Sequence, residues 1–329
     1  SITYNCDSLE RQTVITKIVR VYVTDEYGNQ DYCETSVRIQ DNNHVCPGSS
    51  PGYNLGGKVT RENQDPMGNV EIVLAEPITD IELDRQNTDL AGRFTFLDLQ
   101  FKDFYIKPKK QDDLTNGVTT LDIVMIQRHI LGIKLLDSPY KLIEADVNNS
   151  SNLTAKDISD IRRAILGVIT EWPNQTPTWK FITSDHSFVD PKQPWDGPDA
   201  IQSKDLTDQL DDLNFTGVKT GEVELSADLF FQQLQWAHKT FKMIAVGSAG
   251  YHNRIDLMAS EDILMDGIQL EIQSNGKEGI RQLIPGKLNL QEDDYVIRGN
   301  GLRLSYVGRQ AVEIRKGEVL FTMVTDPTS

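Results

Sequence analysis

The chain has 329 residues, of which 38% are hydrophobic and 25% charged, so it is long enough for about three or four domains with buried cores. Its 33 basic and 49 acidic side chains give a formal net charge of −16. A field of this sign repels phosphate backbones and excludes nucleic acid as a partner. No apolar run approaches the ~18 residues that span a bilayer, so we expect no membrane span. The first residues lack the basic and apolar regions of a signal peptide, so we expect signal and sorting segments to be absent from this chain.

The N-terminal region contains a predicted β-hairpin and all three cysteines. Residues 11–24 and 32–40 alternate apolar and polar positions on either side of a Gly-Asn turn. Cys6, Cys33 and Cys46 include no CxxC pair, which favours one disulfide and one odd thiol over a zinc site. Three pairings are open. We expect Cys6–Cys33, because it would join two strands of one small sheet, and the alternative is three reduced thiols.

The hairpin sequence VRVYVTDEYGNQDYCETSVRIQDN resembles the last strands of hyalin-repeat modules, which are immunoglobulin-like and occur in bacterial surface proteins. The resemblance implies that residues 1–46 are a partial module of this kind. Residues 47–57 are rich in glycine, proline and serine and predict a linker.

Residues 58–110 predict a second β unit of short strands separated by turns. Its pattern G-x-V-T…V-x-I-x-L…G-R-F-T-F is similar to carboxypeptidase regulatory-like and B-type surface-repeat sandwiches. That resemblance implies a scaffold or spacer role for the unit.

An internal repeat follows. Residues 111–132 (QDDLTNGVTTLDIVMIQRHILG) align with residues 146–167 (DVNNSSNLTAKDISDIRRAILG) at an offset of 35 positions. Each copy is an oxygen-rich loop followed by an amphipathic helix, predicted over 119–131 and 154–166, that ends at a glycine. Paired loop–helix copies of this type suggest paired calcium sites.

Both loops have the ligand spacing of an EF-hand, whose loops supply oxygen atoms to calcium at positions 1, 3, 5, 7, 9 and 12. The second loop supplies oxygen at every one of these positions: Asp146, Asn148, Ser150, the Asn152 carbonyl, Thr154 through water, and Asp157. The first loop is a poorer copy, and its candidate ligands are Asp112, Asp113, Thr115, Gly117, Thr119 and Asp122. We expect Ca²⁺ in the second loop and a weaker site in the first. The alternative is two helix N-caps, since each helix starts with a threonine three positions before an aspartate.

These residues resemble the dockerin type I module, in which two loop–helix copies end in Ile/Leu-Leu-Gly. The wording of residues 111–170 is similar to dockerin-like segments of secreted surface proteins from Bacteroidetes. The resemblance implies calcium binding and, as one alternative function, docking onto a cohesin-bearing partner.

Residues 171–228 predict a loop-rich connector with five prolines in its first thirty residues. Trp172, Trp179 and Trp195 are expected to pack this segment onto its neighbour, and the alternative is a carbohydrate-stacking surface. The stretch NFTGVKTGEVELSA (214–227) resembles the link that follows dockerin-like units in the same surface proteins.

Residues 229–329 return to alternating β segments: FKMIAV, RIDLMA, GIQLEIQ, GLRLSYV and EVLFTMV. MDGIQLEIQ and KGEVLFTMV resemble the cohesin-like sandwich, which we expect to be incomplete here. Five scattered histidines and the absence of HExxH, GxSxG and Walker patterns indicate no enzyme, and no catalytic residue is predicted.

The expected fold is therefore multidomain and mainly β, with immunoglobulin-like and cohesin-like sandwiches around a central α-helical, dockerin-like calcium-binding unit. The expected function is that of a secreted, calcium-stabilised structural or adhesive surface protein. A subunit of a self-assembling filament or array and a dockerin-type docking module are the alternatives. Expected partners are further copies or other surface proteins, bound through sandwich edges or dockerin/cohesin-like contacts.

Overall fold

The computed structural model describes residues 4–9, 14–41, 53–99, 103–203, 210–225, 241–249, 252–274 and 279–326. The early strands are β1 (Val14–Thr24), β2 (Gln30–Gln40), β3 (Tyr53–Thr60), β4 (Glu71–Ala75), β5 (Glu82–Asn87), β6 (Arg93–Leu99) and β7 (Phe104–Lys109). The helices are α1 (Thr120–Ile130), α2 (Pro139–Ala145) and α3 (Ala155–Ile165). The later strands are β8 (Trp179–Thr183), β9 (Ile201–Ser203), β10 (Phe215–Lys219), β11 (Phe241–Ala249), β12 (His252–Ala259), β13 (Ile263–Gln273), β14 (Ile280–Pro285), β15 (Tyr295–Arg298), β16 (Gly301–Ile314) and β17 (Val319–Thr325). The prediction of a mainly β chain is confirmed.

The chain forms two compact units that alternate along the sequence. The first comprises Ser1–Lys110, Phe181–His186 and Pro198–Gly217, and the second comprises Gln111–Lys180, Ser187–Gly197 and Val218–Ser329. The prediction of a loop-rich connector over residues 171–228 is wrong in one respect, because β8, β9 and β10 in this region are strands of larger sheets. All five residues of β10 are buried, so the polar–apolar alternation that marks a half-buried strand is missing there.

Two four-stranded sheets account for most of the first unit. Their strand orders are β6-β3-β10-β8 and β5-β4-β7-β9. β3 pairs antiparallel with β6 and parallel with β10, so a strand from late in the chain completes a sheet begun early in it. The buried apolar side chains of these sheets include Leu55, Val59, Ile72, Leu74, Phe94, Phe96, Phe104, Ile106 and Phe215.

The N-terminal hairpin pairs β1 with β2 in antiparallel register, as predicted. Cys33 lies opposite Val21 on this hairpin and is a free, exposed thiol, whereas Cys6 is disulfide-bonded. The predicted Cys6–Cys33 disulfide is therefore wrong. The reason is that Cys6 belongs to a short 3-10 turn and not to the strand that faces Cys33. Cys46 lies outside the described residues.

The C-terminal region of the second unit consists of two sheets, ordered β11-β12-β17-β14 and β13-β16-β15. All five predicted alternating segments are present, as β11, β12, β13, β16 and β17. One cluster of buried apolar side chains joins the sheets: Leu257, Ala259, Ile263, Ile268, Ile280, Leu283, Leu288, Leu290, Leu302, Leu304, Ile314, Leu320, Phe321 and Met323. None of the helices in the described part of the chain is long and apolar enough to cross a membrane.

Candidate functional site

The two repeat copies begin their helices with the same cap. Thr119 and Thr154 are the N-cap residues of α1 and α3, and each shares a capping box with the aspartate three positions on, Asp122 or Asp157. Both helices therefore have the N-caps that the sequence offered as the alternative to calcium ligation. In each capping box the aspartate accepts the amide of the N-cap threonine with Oδ2, which leaves Oδ1 for another group.

The two helices also end alike. Gly132 and Gly167 follow α1 and α3 with φ values of 67° each, the left-handed conformation that glycine adopts without cost. The amide of the next residue donates to the carbonyl of Arg128 or Arg163, at 2.9 and 2.8 Å. These bonds form a Schellman motif in each copy, so the repeat is structural as well as sequential.

A helix that was not predicted, α2, lies between the copies. Ser138 accepts a hydrogen bond from the Tyr140 amide at 3.1 Å and Pro139 occupies the first turn, a start signal that the sequence does carry. The buried apolar side chains of the helical region form one cluster: Leu114, Val118, Ile123, Ile126, Ala145, Val147, Ile161, Ala164, Ile165, Trp172 and Val223. This cluster holds both loops in place.

The backbone of the second loop passes twice through the left-handed region. Asn149 and Ser151, at positions 4 and 6, have φ values of 54° and 59°. EF-hand loops use glycine at position 6 because the turn there is sharp. Ser151 adopts the left-handed conformation at this position, which costs a residue with a Cβ atom about 1–2 kcal/mol.

The oxygen-bearing side chains of the second loop contact one another. Asp146 Oδ1 accepts from the Ser150 amide at 2.9 Å and lies 3.4 Å from Ser150 Oγ, and that hydroxyl donates to the Asn152 carbonyl at 3.1 Å. Asn148 Nδ2 lies 2.8 Å from Asp157 Oδ1, which brings positions 3 and 12 together. Five of the six predicted ligands therefore form two contacting groups, Asp146 with Ser150 and Asn152, and Asn148 with Asp157. The sixth is the N-cap threonine of α3.

Two carboxylates face this region. Burial raises the pKa of Asp157, and the nearby Asp146 carboxylate raises it further. Lys180 Nζ donates to the Asp146 carbonyl at 3.4 Å and to Asn149 Oδ1 at 3.1 Å. Burial lowers the pKa of Lys180, although the two carboxylates oppose that shift. The ammonium group of Lys180 is therefore a cation of the chain itself that faces both carboxylates.

In the first loop the corresponding carboxylate faces peptide groups. Asp122 Oδ1 accepts from the amides of Val223 and Glu224, at 2.7 and 3.1 Å, while Oδ2 accepts from the Thr119 amide at 2.7 Å. Burial raises the pKa of Asp122 to about 7, although the hydrogen bonds from these N–H groups favour the carboxylate and lower the pKa. Both oxygen atoms of Asp122 are therefore engaged within the chain.

A lysine side chain lies at the start of the first loop. Lys219 Nζ contacts Asp112 Oδ1 and donates to the Asp113 carbonyl at 2.8 Å, and the side chains of Lys219 and Asp112 are 0% and 3% exposed. Asp112 Oδ2 accepts from Trp179 Nε1 at 2.8 Å and from Asn116 Nδ2 at 3.2 Å. Burial lowers the pKa of Lys219, and the contact with Asp112 opposes this shift. The pair lies 107 positions apart in sequence, so no local pattern predicts it.

The remaining first-loop candidates bind locally. Asp113 Oδ1 accepts from the amide and hydroxyl of Thr115, at 2.8 and 2.9 Å, and Gly117 turns the chain with a φ of 78°. Of the predicted ligands of this loop, Asp113 thus pairs with Thr115 and Thr119 with Asp122, while Asp112 contacts residues outside the predicted set.

The donor sets of the two loops fit calcium differently. The second loop offers two carboxylates, a carboxamide, a hydroxyl and a carbonyl in two contacting groups, and a half-turn of the Asn148 amide would present its oxygen in place of nitrogen. The residues of the first loop do not fit, because an ammonium group already binds two of its oxygen atoms. Among the described residues, no group of three or more His, Cys, Asp or Glu side chains is arranged to hold a metal, so the second loop depends on its neutral oxygens.

Two of the three tryptophans of the predicted connector, Trp172 and Trp179, pack inside the protein. They are 3% and 2% exposed, as expected for packing residues. Side chains buried to this extent present no face to a sugar, whereas Trp195 is partly buried. The alternative of a carbohydrate-stacking surface built on all three tryptophans is therefore wrong.

Comparison with known proteins identifies no family. No family model matches the chain, and no curated protein matches it. Three solved pilin structures show weak likeness to this chain. BcpA, the major pilin subunit of Bacillus cereus, is 15% identical over 30% of this chain and 28% of that chain, with a TM-score of 0.17. A variant of BcpA is 9% identical over 84% of this chain and 59% of that chain, with a TM-score of 0.25. The full-length major pilin SpaD from Corynebacterium diphtheriae is 9% identical over 84% of this chain and 56% of that chain, with a TM-score of 0.23. The chain spans between 28% and 59% of the length of these pilins, and TM-scores this low do not show a shared fold.

Proposed function

We propose that this chain is a non-catalytic structural segment of an extracellular surface protein, in which calcium bound by residues 146–157 orders the second unit. One observation carries the proposal. The ligand positions contact one another in two groups, positions 1, 5 and 7 and positions 3 and 12, in a loop whose backbone turns through the left-handed region at positions 4 and 6. Calcium sites of the EF-hand type use oxygen-bearing groups at these positions.

The helical region transmits the effect of the ion to the adjacent sheet of the same unit. The Thr120 amide donates to Gln269 Oε1 at 2.8 Å, and its hydroxyl lies 2.7 Å from Ser305 Oγ. Arg298 Nη2 donates to the Gly167 carbonyl at 2.8 Å, at the end of α3. Since α3 starts at the second loop and ends against β15, an ion that orders the loop also stabilises this contact.

An extracellular setting suits the chemistry. Cys6 is disulfide-bonded, and disulfides persist in oxidising compartments. With only two carboxylates in the loop, the expected dissociation constant is ~10⁻⁴–10⁻³ M, the range of extracellular calcium modules. Calcium at that affinity acts as a constant structural component and not as an intracellular signal.

Calcium titration of the full chain after chelation tests the proposal. We expect calcium to raise Tm in the wild-type protein, and Asp146→Asn to remove most of that rise. Asp113→Asn, which changes a carboxylate in the first loop, serves as the matched control and should leave the rise intact. A Tm that does not respond to calcium in the wild type contradicts the proposal.

The N-terminal hairpin supports a second candidate function, a subunit that assembles with copies of itself. Ile18, Val23 and Tyr22 on β1 are 75%, 68% and 56% exposed, although all three are large and apolar. In the described part of the chain β1 pairs only with β2, and a long apolar strand edge of this kind favours addition of a strand from another molecule.

Sedimentation velocity in calcium tests self-assembly. We expect association that weakens in Val23→Lys, because a charge on an edge strand opposes strand addition. Leu90→Lys, at an exposed apolar position in a turn, is the control and should leave association unchanged. A protein that stays monomeric at all concentrations rules out this candidate.

A further inference from the structure

The first loop of the repeat is bound by a later segment of the chain, whereas the ligand positions of the second loop contact one another. We infer that the first loop is an internal docking site for Lys219–Glu224 and not a metal site, so that each chain binds one calcium ion, in the second loop. The count of one rests on the proposed function, whereas the assignment of the first loop does not.

The ammonium group of Lys219 supplies the positive charge at the start of the loop. It contacts a buried carboxylate oxygen of Asp112 and a carbonyl oxygen of Asp113, the two kinds of hard oxygen that calcium binds. The other Asp112 oxygen is held by Trp179 and Asn116. A divalent ion could bind these oxygens only by displacing a buried lysine into a protein interior that would have to accommodate it.

The last position of the loop leads to the same conclusion independently. Asp157 Oδ1 in the second loop faces Asn148, at position 3 of its own loop. The matching atom, Asp122 Oδ1, instead accepts two peptide N–H groups from Val223 and Glu224. The Lys219–Glu224 segment therefore binds both the first and the last acidic residue of the first loop.

Between these two contacts the Lys219–Glu224 segment packs tightly against the helical region. The Gly221 amide donates to the Glu144 carbonyl of α2 at 2.7 Å. Gly221 has a φ of 91°, and a Cβ atom there would lie 2.8 Å from the Trp172 ring, so only glycine fits. These contacts make the segment part of the helical core.

An ion count on the wild-type protein tests the inference without any substitution. After chelation, equilibrium dialysis against radioactive calcium should give no more than one ion per chain, and Asp146→Asn should remove it. Two ions, or one ion that survives Asp146→Asn, would overturn the assignment. If no ion binds at all, the proposed function fails while the assignment of the first loop stands.

Substitution of the lysine gives a second measurement. Lys219→Met keeps the length of the side chain but leaves Asp112 buried without its cation, so we expect a fall in Tm of about 10 °C. Calcium should reverse part of this fall, because the vacated carboxylate and carbonyl become available to an ion. Lys287→Met is the matched control, since the ion pair of Lys287 with Glu318 is exposed to solvent and lies in neither loop, and its Tm should stay close to that of the wild type.

A Lys219→Met protein with wild-type Tm and wild-type calcium response would overturn the inference. If Lys219→Met does not fold, the double variant Lys219→Met/Asp112→Asn replaces the ion pair by neutral groups of similar size. We expect this protein to fold and to bind the same number of ions as the wild type. A double variant that gains or loses an ion would contradict the inference.

Discussion

Ser151 is the residue of the second loop whose conformation its own side chain disfavours. Its φ of 59° is a glycine conformation, and its amide donates to Asp146 Oδ2 at 2.7 Å, a bond that glycine would keep. We expect Ser151→Gly to increase the free energy of unfolding by about 0.5–1 kcal/mol and to tighten calcium binding. Urea unfolding with and without calcium measures both effects.

Ser150→Gly is the control for this prediction. Ser150 is not in the left-handed region, and its hydroxyl donates to the Asn152 carbonyl, another predicted ligand. Glycine should therefore weaken both stability and calcium binding there. If the two variants behave alike, backbone conformation at Ser151 is not what limits the loop.

His129 makes the protein sensitive to mild acid. Its Nδ1 accepts a hydrogen bond from the Leu136 amide at 3.0 Å, and burial lowers the pKa of His129 below its ordinary value of 6.5. As pH falls through about 6.5, the unfolded chain takes up a proton that the folded chain does not. We therefore expect stability from this group to be present above that pH and to be lost below it.

The matched variant is His129→Asn, which keeps an acceptor at the δ position and cannot titrate near neutral pH. Thermal unfolding from about pH 7.5 to pH 5 should show a smaller fall in Tm for His129→Asn than for the wild type. Parallel curves for the two proteins would show that His129 does not contribute to acid sensitivity.

At the scale of secondary-structure elements, one hydroxyl group connects α1 to the sheet of β13 and β16. Thr120 Oγ1 lies 2.7 Å from Ser305 Oγ, and the Ser305 side chain is fully buried. We expect Thr120→Val, which conserves shape, to lower the free energy of unfolding by about 1–3 kcal/mol, because it leaves a buried hydroxyl without this partner. Denaturant unfolding measures the change.

Two further variants separate this contact from a general effect of removing a hydroxyl. Thr115→Val removes a hydroxyl that bonds a surface carboxylate in the first loop and should change stability much less. Adding Ser305→Ala to Thr120→Val should cost little beyond the first substitution, since both partners are then absent. Additive losses in the double variant would contradict a direct interaction.

The repeat was the element that sequence predicted best, because its signals are local. The N-cap threonines, the aspartates three positions on and the terminal glycines each act within one helical turn, and all are present, the N-caps as the alternative to calcium ligation that the sequence offered. The helix α2 carries a local signal too, Ser138 followed by Pro139, but its seven residues show too little periodicity to be recognised as a helix.

Signals that depend on distant residues were not predictable in this way. β10 is buried along its whole length and lacks the alternation of exposed and buried residues that marks a half-buried strand, so the sequence predicts a connector there. The first loop has acceptable spacing for calcium, but its oxygens are bound by Lys219, Val223 and Glu224, over a hundred positions later. The prediction of the disulfide also failed, because the turn that contains Cys6 has no sequence pattern of its own.

At the scale of the whole molecule, the formal net charge of −16 opposes the folded state by self-repulsion. Any added salt should relieve part of that repulsion by screening. Calcium acts on the same charge, so a rise in Tm with calcium alone does not distinguish screening from binding at the second loop. The distinction needs a comparison at equal ionic strength.

We expect sodium chloride and magnesium chloride at equal ionic strength to raise Tm by the same small amount, because both act by screening. Calcium chloride should add a further rise that saturates at ~10⁻³ M, since calcium accepts the irregular oxygen set of the second loop and magnesium requires near-octahedral geometry. Asp146→Asn should lose the calcium increment and keep the salt increment. Equal effects of all three salts in the wild type would mean that the charge of the whole chain, and not the second loop, accounts for the response.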